Sequence, residues 1–419
     1  MLKKTNAALP LLGIVLSICF FYVEAYAAKT ESIEGGDPGR MEWALLPAIG
    51  YNSDIGFRFG LLTILTKFNP AYSPYRWLIE ARFVMSTKKG PDGWELPVHD
   101  HFFSATVPGL LRGRLRLRVD VGFEKNIIAP WYGLGNDSSA NDGGYARRFQ
   151  YKFQSPYGEI SARVGLWHAL EVLACVRYNH WRIDFWRGEP SQLELDIAAS
   201  ENSTGERLFG YRPHSKLELV MGLLFDSRDD EVSPSTGGFY EVSLRGAPGA
   251  LTRAAHNFGG VNLSASHFIP LRKRWLVLGL RLVGDVLFGD VSYYELHKMK
   301  GVLAFYALGG EDGVRGVPAG RYAGKAKVVG NMELRSVLWR FCIKSHRFAL
   351  GAVVFFDAGR VWYHTTSGTD LDGDGLGGKF GVGGGPQILW GKSVVIRLDV
   401  AYSPDATPLG IYLEAGRNF

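Results

Sequence analysis

Cysteine is nearly missing from this chain: three in 419 residues, with Cys19 inside an N-terminal apolar run. That leaves Cys175 and Cys342, on segments placed far apart, so isolated thiols are expected rather than a disulfide framework. Past the first run there is no second apolar stretch of the roughly 20 residues that a spanning helix needs. Long amphipathic helical patterns are scarce as well. The net charge of +6 is modest and spread out, which gives no footprint for nucleic acid. What the sequence does hold is 13% aromatic residues and 53 glycines, set among short alternating segments.

The N-terminus carries a targeting signal. Lys3 and Lys4 precede the apolar run from Leu9 to Val23, and Ala25-Tyr26-Ala27 supplies a small-x-small cleavage site. Residues 1–27 are therefore expected to be a signal peptide and 28–42 a short periplasmic segment. That segment has no room for a folded domain before a barrel over 43–419. An exported chain with this composition fits a β-barrel of a Gram-negative outer membrane.

Period two carries the fold assignment. In Arg114–Glu124 one face holds Leu115, Leu117, Val119, Val121 and Phe123, and the other holds Arg114, Arg116, Arg118, Asp120 and Glu124. The pattern recurs at Trp275–Asp285, at Lys392–Tyr402 and at the chain end, where Tyr412 and Glu414 oppose Leu409, Ile411, Leu413 and Phe419. One aliphatic face and one charged face suit lipid outside and a wet lumen inside, and only closure satisfies every strand edge in a bilayer.

The class expected is all-β, a transmembrane antiparallel barrel of about 16 strands. They fall at 43–51, 55–66, 75–86, 99–107, 112–123, 147–167, 170–184, 214–226, 237–247, 256–269, 273–286, 326–339, 347–361, 378–389, 392–402 and 409–419. Segment 147–167 is long enough to be two strands. Long connections at 124–146, 185–213, 287–325 and 362–377 then lie outside the cell, and most periplasmic turns are short.

Five stretches share a pattern. They are Gly309-Gly310-Glu311-Asp312-Gly313-Val314-Arg315-Gly316-Val317, Trp131-Tyr132-Gly133-Leu134-Gly135-Asn136, Phe225-Asp226-Ser227-Arg228-Asp229-Asp230 with Pro234 and Gly237, Phe355-Phe356-Asp357-Ala358-Gly359, and terminal Phe419. In this order they resemble the BamA/TamA-type bacterial surface antigen family, across nearly the whole exported chain. Val317 stands where the family's loop motif carries an aromatic. The resemblance implies a sixth external loop folded into the barrel, with the arginine of the loop paired to the aspartate of the x-D-x-G strand. Here these are Arg315, flanked by Gly316, and Asp357, with Gly359 leaving room for the loop backbone.

Parity on strand 347–361 independently turns Asp357 to the lumen, and a guanidinium brought inside needs a planar carboxylate partner. Glu333 and Arg335 share a lumen face with Asn331. They either extend the loop's contacts or pair with each other, the second being favoured.

The resemblance further implies protein insertion into, or translocation across, the outer membrane. The seam between the first and last strands would open beside Phe419, with unfolded outer-membrane or secreted proteins as clients and a separate periplasmic partner. The alternative is a solute-conducting pore without a protein client. The expectation is no enzyme, because the ten histidines are scattered away from any nucleophile motif. No cofactor and no metal are expected. Asp370, Asp372 and Asp374 have the spacing of a calcium loop, but Gly381 occupies the twelfth position, where a bidentate Glu belongs. Asp226, Arg228, Asp229 and Asp230 are read as turn chemistry.

Overall fold

The computed structural model describes residues 41–416 except 70–71, 142, 203, 205, 253–256, 273–274, 302–303, 344–345, 365–369 and 391–393. The signal peptide over 1–27, most of the segment 28–42 and the terminal Phe419 lie outside the described residues.

Sixteen strands form the wall: β1 (Met41–Asn52), β2 (Gly56–Asn69), β3 (Tyr72–Gly90), β4 (Val98–Gly109), β5 (Leu115–Pro130), β6 (Gln150–Trp167), β7 (Leu170–Asp184), β8 (His214–Asp226), β9 (Gly237–Ala247), β10 (Phe258–Arg272), β11 (Leu276–Gly289), β12 (Ala326–Ile343), β13 (His346–Trp362), β14 (Lys379–Trp390), β15 (Val394–Ser403) and β16 (Ala406–Gly416). Each pairs antiparallel with its sequence neighbours, and β16 returns to β1 to close the ring.

Several strand ends differ from the sequence reading, β3 running on to Gly90 and β12 to Ile343. β6 is one strand, paired along its length with β5 and β7. β5 runs on to Pro130 because a bulge between Asn126 and Ala129 lets it keep pairing with β6, so the third external loop starts later than expected. β16 begins earlier, at Ala406.

Burial is inverted relative to a soluble protein. Val121 is 58% exposed and Val354 58%, whereas Asp357, Asp285 and Glu333 are fully buried. A wall with aliphatic side chains outside and carboxylates inside is stable only when hydrocarbon surrounds it. Trp167, Trp275 and Trp339 stand exposed near the periplasmic ends, where amphipathic rings meet headgroups.

The external loops build a lid of their own. Trp131, Tyr151, Trp181, Tyr293 and Tyr294 pack as its buried aromatic core. Helix α1 (Gln192–Glu201) joins it, started by a capping box between Ser191 and Glu194. Gly135, at φ 83, takes a conformation open to glycine, and a Cβ there would strike Leu371 O at 2.1 Å. Its N–H reaches Ala323 O at 2.7 Å, while Asn136 Nδ2 donates to Gly377 O at 2.7 Å. The Tyr-Gly-x-Gly-Asn motif thus stitches the third, sixth and seventh loops together.

Candidate functional site

The sixth external loop, residues 290–325, does not stay outside. A small hairpin (Lys298–Lys300 with Ala304–Tyr306) enters the lumen first. Arg245 Nη1 donates to Lys300 O at 2.8 Å, and the Lys300 ammonium pairs with Glu218. Lys216 bridges Glu218 to Glu295 at the hairpin's base, and Arg245 grips Asp285 with two bonds of 2.7 and 2.9 Å. Every charge in this set faces an opposite one, which is what buried ions require.

The second descent carries the tip. Leu308, Val314 and Val317 are fully buried against Val283, Val329 and Val361. Val317 therefore wedges by aliphatic packing where the related motif uses an aromatic.

Between these apolar residues Arg315 extends toward β13. Its Nε donates to Asp357 Oδ2 at 2.7 Å and Nη2 to Oδ1 at 2.8 Å, a bidentate fork, and its own backbone N–H adds 3.1 Å to Oδ2. Nη1 reaches Glu333 Oε1 at 2.7 Å and Asp399 Oδ2 at 3.2 Å. The guanidinium lies 3.5 Å over the Phe355 ring. Arg397 completes the set, donating to both Glu333 oxygens and to Asp399 Oδ1. Two guanidinium groups thus meet three carboxylates. Asn331 Nδ2 ties Asp357 Oδ1 to Gly313 O, both at 2.8 Å.

Two glycines make the approach possible, and they are not used alike. A Cβ on Gly381 of β14 would lie 1.9 Å from Arg315 O, so this is where the loop backbone passes the wall. Gly359 meets Val328 O and the Leu308 side chain instead, so the room it leaves takes a loop side chain, not loop backbone. Gly316 sits at φ 93, with its amide donating to Tyr412 OH of β16 at 3.2 Å.

The favoured pairing of Glu333 with Arg335 does not occur. Glu333 is engaged by Arg315 and Arg397, and Arg335 points two residues further toward the periplasm, where Nη2 donates to Pro234 O at 2.9 Å. Phe355, Asp399, Arg397 and Gly381 went unassigned in the sequence reading. An aromatic on the lumen face beside Asp357, opposite a face bearing Arg397 and Asp399, was the available signal.

The loop also touches both margins of the seam. Glu311 accepts from Asn52 Nδ2 of β1 at 2.9 Å and from Arg58 Nη2 of β2 at 3.1 Å. The same Arg58 nitrogen lies 3.4 Å from Glu414 Oε1 of β16. β1 pairs with β2 over its whole length, Met41↔Lys67 to Asn52↔Gly56. Against β16 it pairs, among the described residues, at Tyr51↔Leu413 and Asn52↔Tyr412.

Elsewhere the acidic motifs serve the backbone. Asp229 and Asp230 accept turn N–H groups of Val232, Ser233, Ser235 and Thr236, and Arg228 forks onto Asp226. Asp372 accepts from Tyr363 N at 2.8 Å. Among the described residues no cluster of His, Cys, Asp and Glu converges as a metal site. Cys175 and Cys342 are free.

Comparison with known proteins fits this geometry. Among curated proteins no sequence match is found. In the solved structures the fold is similar to BamA from Haemophilus ducreyi lacking POTRA domains 1–3. The TM-score is 0.58 at 15% identity, covering 90% of this chain and 70% of that one. It is also similar to CdiB from Escherichia coli, with TM-score 0.56 at 13% identity, covering 90% of this chain and 63% of that one. The Omp85 superfamily domain matches residues 102–419, and the chain belongs to that superfamily of outer-membrane β-barrels.

Proposed function

We propose that this protein inserts other proteins into the outer membrane, or passes them across it, through the seam between β1 and β16. The observation that carries this reading is the seam itself: Ala48–Gly50 of β1 and Glu414–Gly416 of β16 pair with β2 and β15, while β1 and β16 pair with each other, among the described residues, at Tyr51↔Leu413 and Asn52↔Tyr412. A strand with an underused edge is a template onto which an incoming strand can pair. Family membership supports the same reading. The protein acts without chemistry of its own, and its work is to offer an edge and a path.

In this reading Arg315 and Asp357 anchor the sixth loop, Gly316, Gly359 and Gly381 let it seat, and Glu333 and Asp399 hold the arginine's remaining face. Residues 1–27 direct export. Clients are unfolded outer-membrane or secreted chains, delivered by a separate periplasmic partner. The alternative of a plain solute pore is disfavoured by a lumen that holds both the hairpin and the tip of one loop.

Depletion in the cell separates the two readings. Loss of the protein should lower the folded amount of at least one outer-membrane or secreted protein. Normal client levels, together with solute conductance by the purified barrel in planar bilayers, would replace the assembly reading with the pore.

A further inference from the structure

Arg335 is 4% exposed and sits at the periplasmic end of the lumen. One nitrogen is used, by Pro234 O, and its Nε and Nη1 have no partner. Among the described residues it is the one arginine with two buried nitrogens unpartnered. Across from it Gln387, 3% exposed, donates its amide N–H to Ser336 O, and its Oε1 accepts nothing.

Both side chains line one cavity of about 280 Å³, between the β8–β9 turn and the walls of β11, β12, β14 and β15. The remaining lining is mixed: Val277, Val337, Leu389 and Val395 form an aliphatic side, and Arg340, Asp229, Asp230 and serines of the β8–β9 turn and β12 form a polar one.

The charges nearby are already committed. Glu333 is bound by Arg315 and Arg397, and Asp229 and Asp230 accept the turn's own N–H groups. Glu333 and Asp229 act on Arg335 only through space, neither forming an ion pair with it among the described residues, and its guanidinium lies 5.0 Å over the Phe268 ring. A guanidinium withdrawn from water without a partner is costly, and an anion that enters the cavity relieves that cost. Its size is near the lower end of ligand pockets, which run from roughly 300 Å³ upward. There is space for a headgroup with one apolar group beside it.

We propose that this cavity is a binding site for a carboxylate bearing an apolar group. The carboxylate takes the free Arg335 N–H groups, the apolar group lies among Val277, Val337, Leu389 and Val395, and a ligand N–H, where present, donates to Gln387 Oε1. The C-terminus of a peptide offers all three features, and a fatty acid offers the first two. The site does not depend on the proposed seam function and can be tested apart from it.

The test is binding to the purified full-length barrel in lipid nanodiscs, followed by calorimetry. The probes are a short peptide ending in leucine as the free acid, the same peptide as its C-terminal amide, and octanoate. Binding of the free acid, lost by roughly 30-fold or more on amidation and in Arg335→Gln, supports the site. Gln387→Leu should weaken the peptide acid and leave octanoate unchanged. Octanoate bound as tightly as the peptide acid identifies a fatty acid as the ligand. Equal binding of acid and amide, or of wild type and Arg335→Gln, overturns the proposal. Heat-resistant migration on gels identifies variants that still fold, and Arg335→Lys, which keeps the charge without the fork, gives an intermediate affinity if the geometry matters.

Discussion

Arg315 holds Asp357 by two parallel bonds of 2.7 and 2.8 Å, forty-two residues further along a chain that climbs out of the lumen, runs down β12 and returns up β13. The pair joins the loop to β13, and the same guanidinium also bonds Glu333 of β12 and Asp399 of β15. Removing it leaves Asp357, Glu333 and Asp399 with Arg397 as the cation bonded to this set. Arg315→Ala should therefore lower stability by about 3–5 kcal/mol, the cost of uncompensated buried charge. Arg315→Lys should recover only part, since an ammonium cannot fork onto a carboxylate. Urea unfolding in lipid vesicles measures both.

A steric variant reaches the same contact without touching charge. In Gly381→Ala the new methyl meets Arg315 O, placed at 1.9 Å from an ideal Cβ. The loop must lift, at a cost of about 1–3 kcal/mol. Faster proteolytic cleavage within residues 308–320 is the expected sign, with β-content unchanged by circular dichroism.

The seam contacts should grade. Arg58 and its two carboxylates are partly exposed, so each pair contributes about 0–1 kcal/mol, a strength suited to a boundary that parts. Glu311→Gln weakens the link to the loop and leaves Arg58 with Glu414. Arg58→Ala removes both. In a background of Cys175→Ser and Cys342→Ser, disulfide formation between Tyr51→Cys and Leu413→Cys should fall in the order wild type, Glu311→Gln, Arg58→Ala. Equal yields in all three would mean that the loop does not bear on the seam.

The external lid should respond to acid. Burial, helped by Lys298 and Lys327, pushes the His297 imidazole from 6.5 down to about 3. The ring is neutral in the folded lid, flanked by Trp131 and Tyr306. Its contribution is present above pH 6.5 and is lost as pH falls from there toward 3, because only the unfolded lid takes up the proton. Tryptophan fluorescence of the lid core should follow that window, and His297→Gln should flatten the response.

Much of this was legible from alternation alone. The aliphatic rows containing Val121 and Val354, and the charges opposite them, gave the number of strands and turned Asp357 inward, because a strand has two faces and lipid tolerates one kind. What alternation does not contain is which lumen residues meet across the barrel. Glu333 and Arg335 share a face two residues apart, and local reasoning paired them. The structure separates them because Arg315 arrives from a loop and takes Glu333. Gly359 and Gly381 look equivalent in sequence, and only the descent of the loop decides which wall its backbone brushes. The extension of β5 past Glu124 depended on a bulge that no periodicity announces.

Photo-crosslinking in growing cells tests the seam function most directly. A photoreactive residue placed at Leu45 on β1 or Leu409 on β16, both exposed to lipid, should capture newly exported protein chains. The same probe at Met221, exposed on β8 across the barrel from the seam, should not. Capture of lipid alone at both seam positions, with no protein adduct even when export is saturated, would contradict a role in protein insertion or translocation.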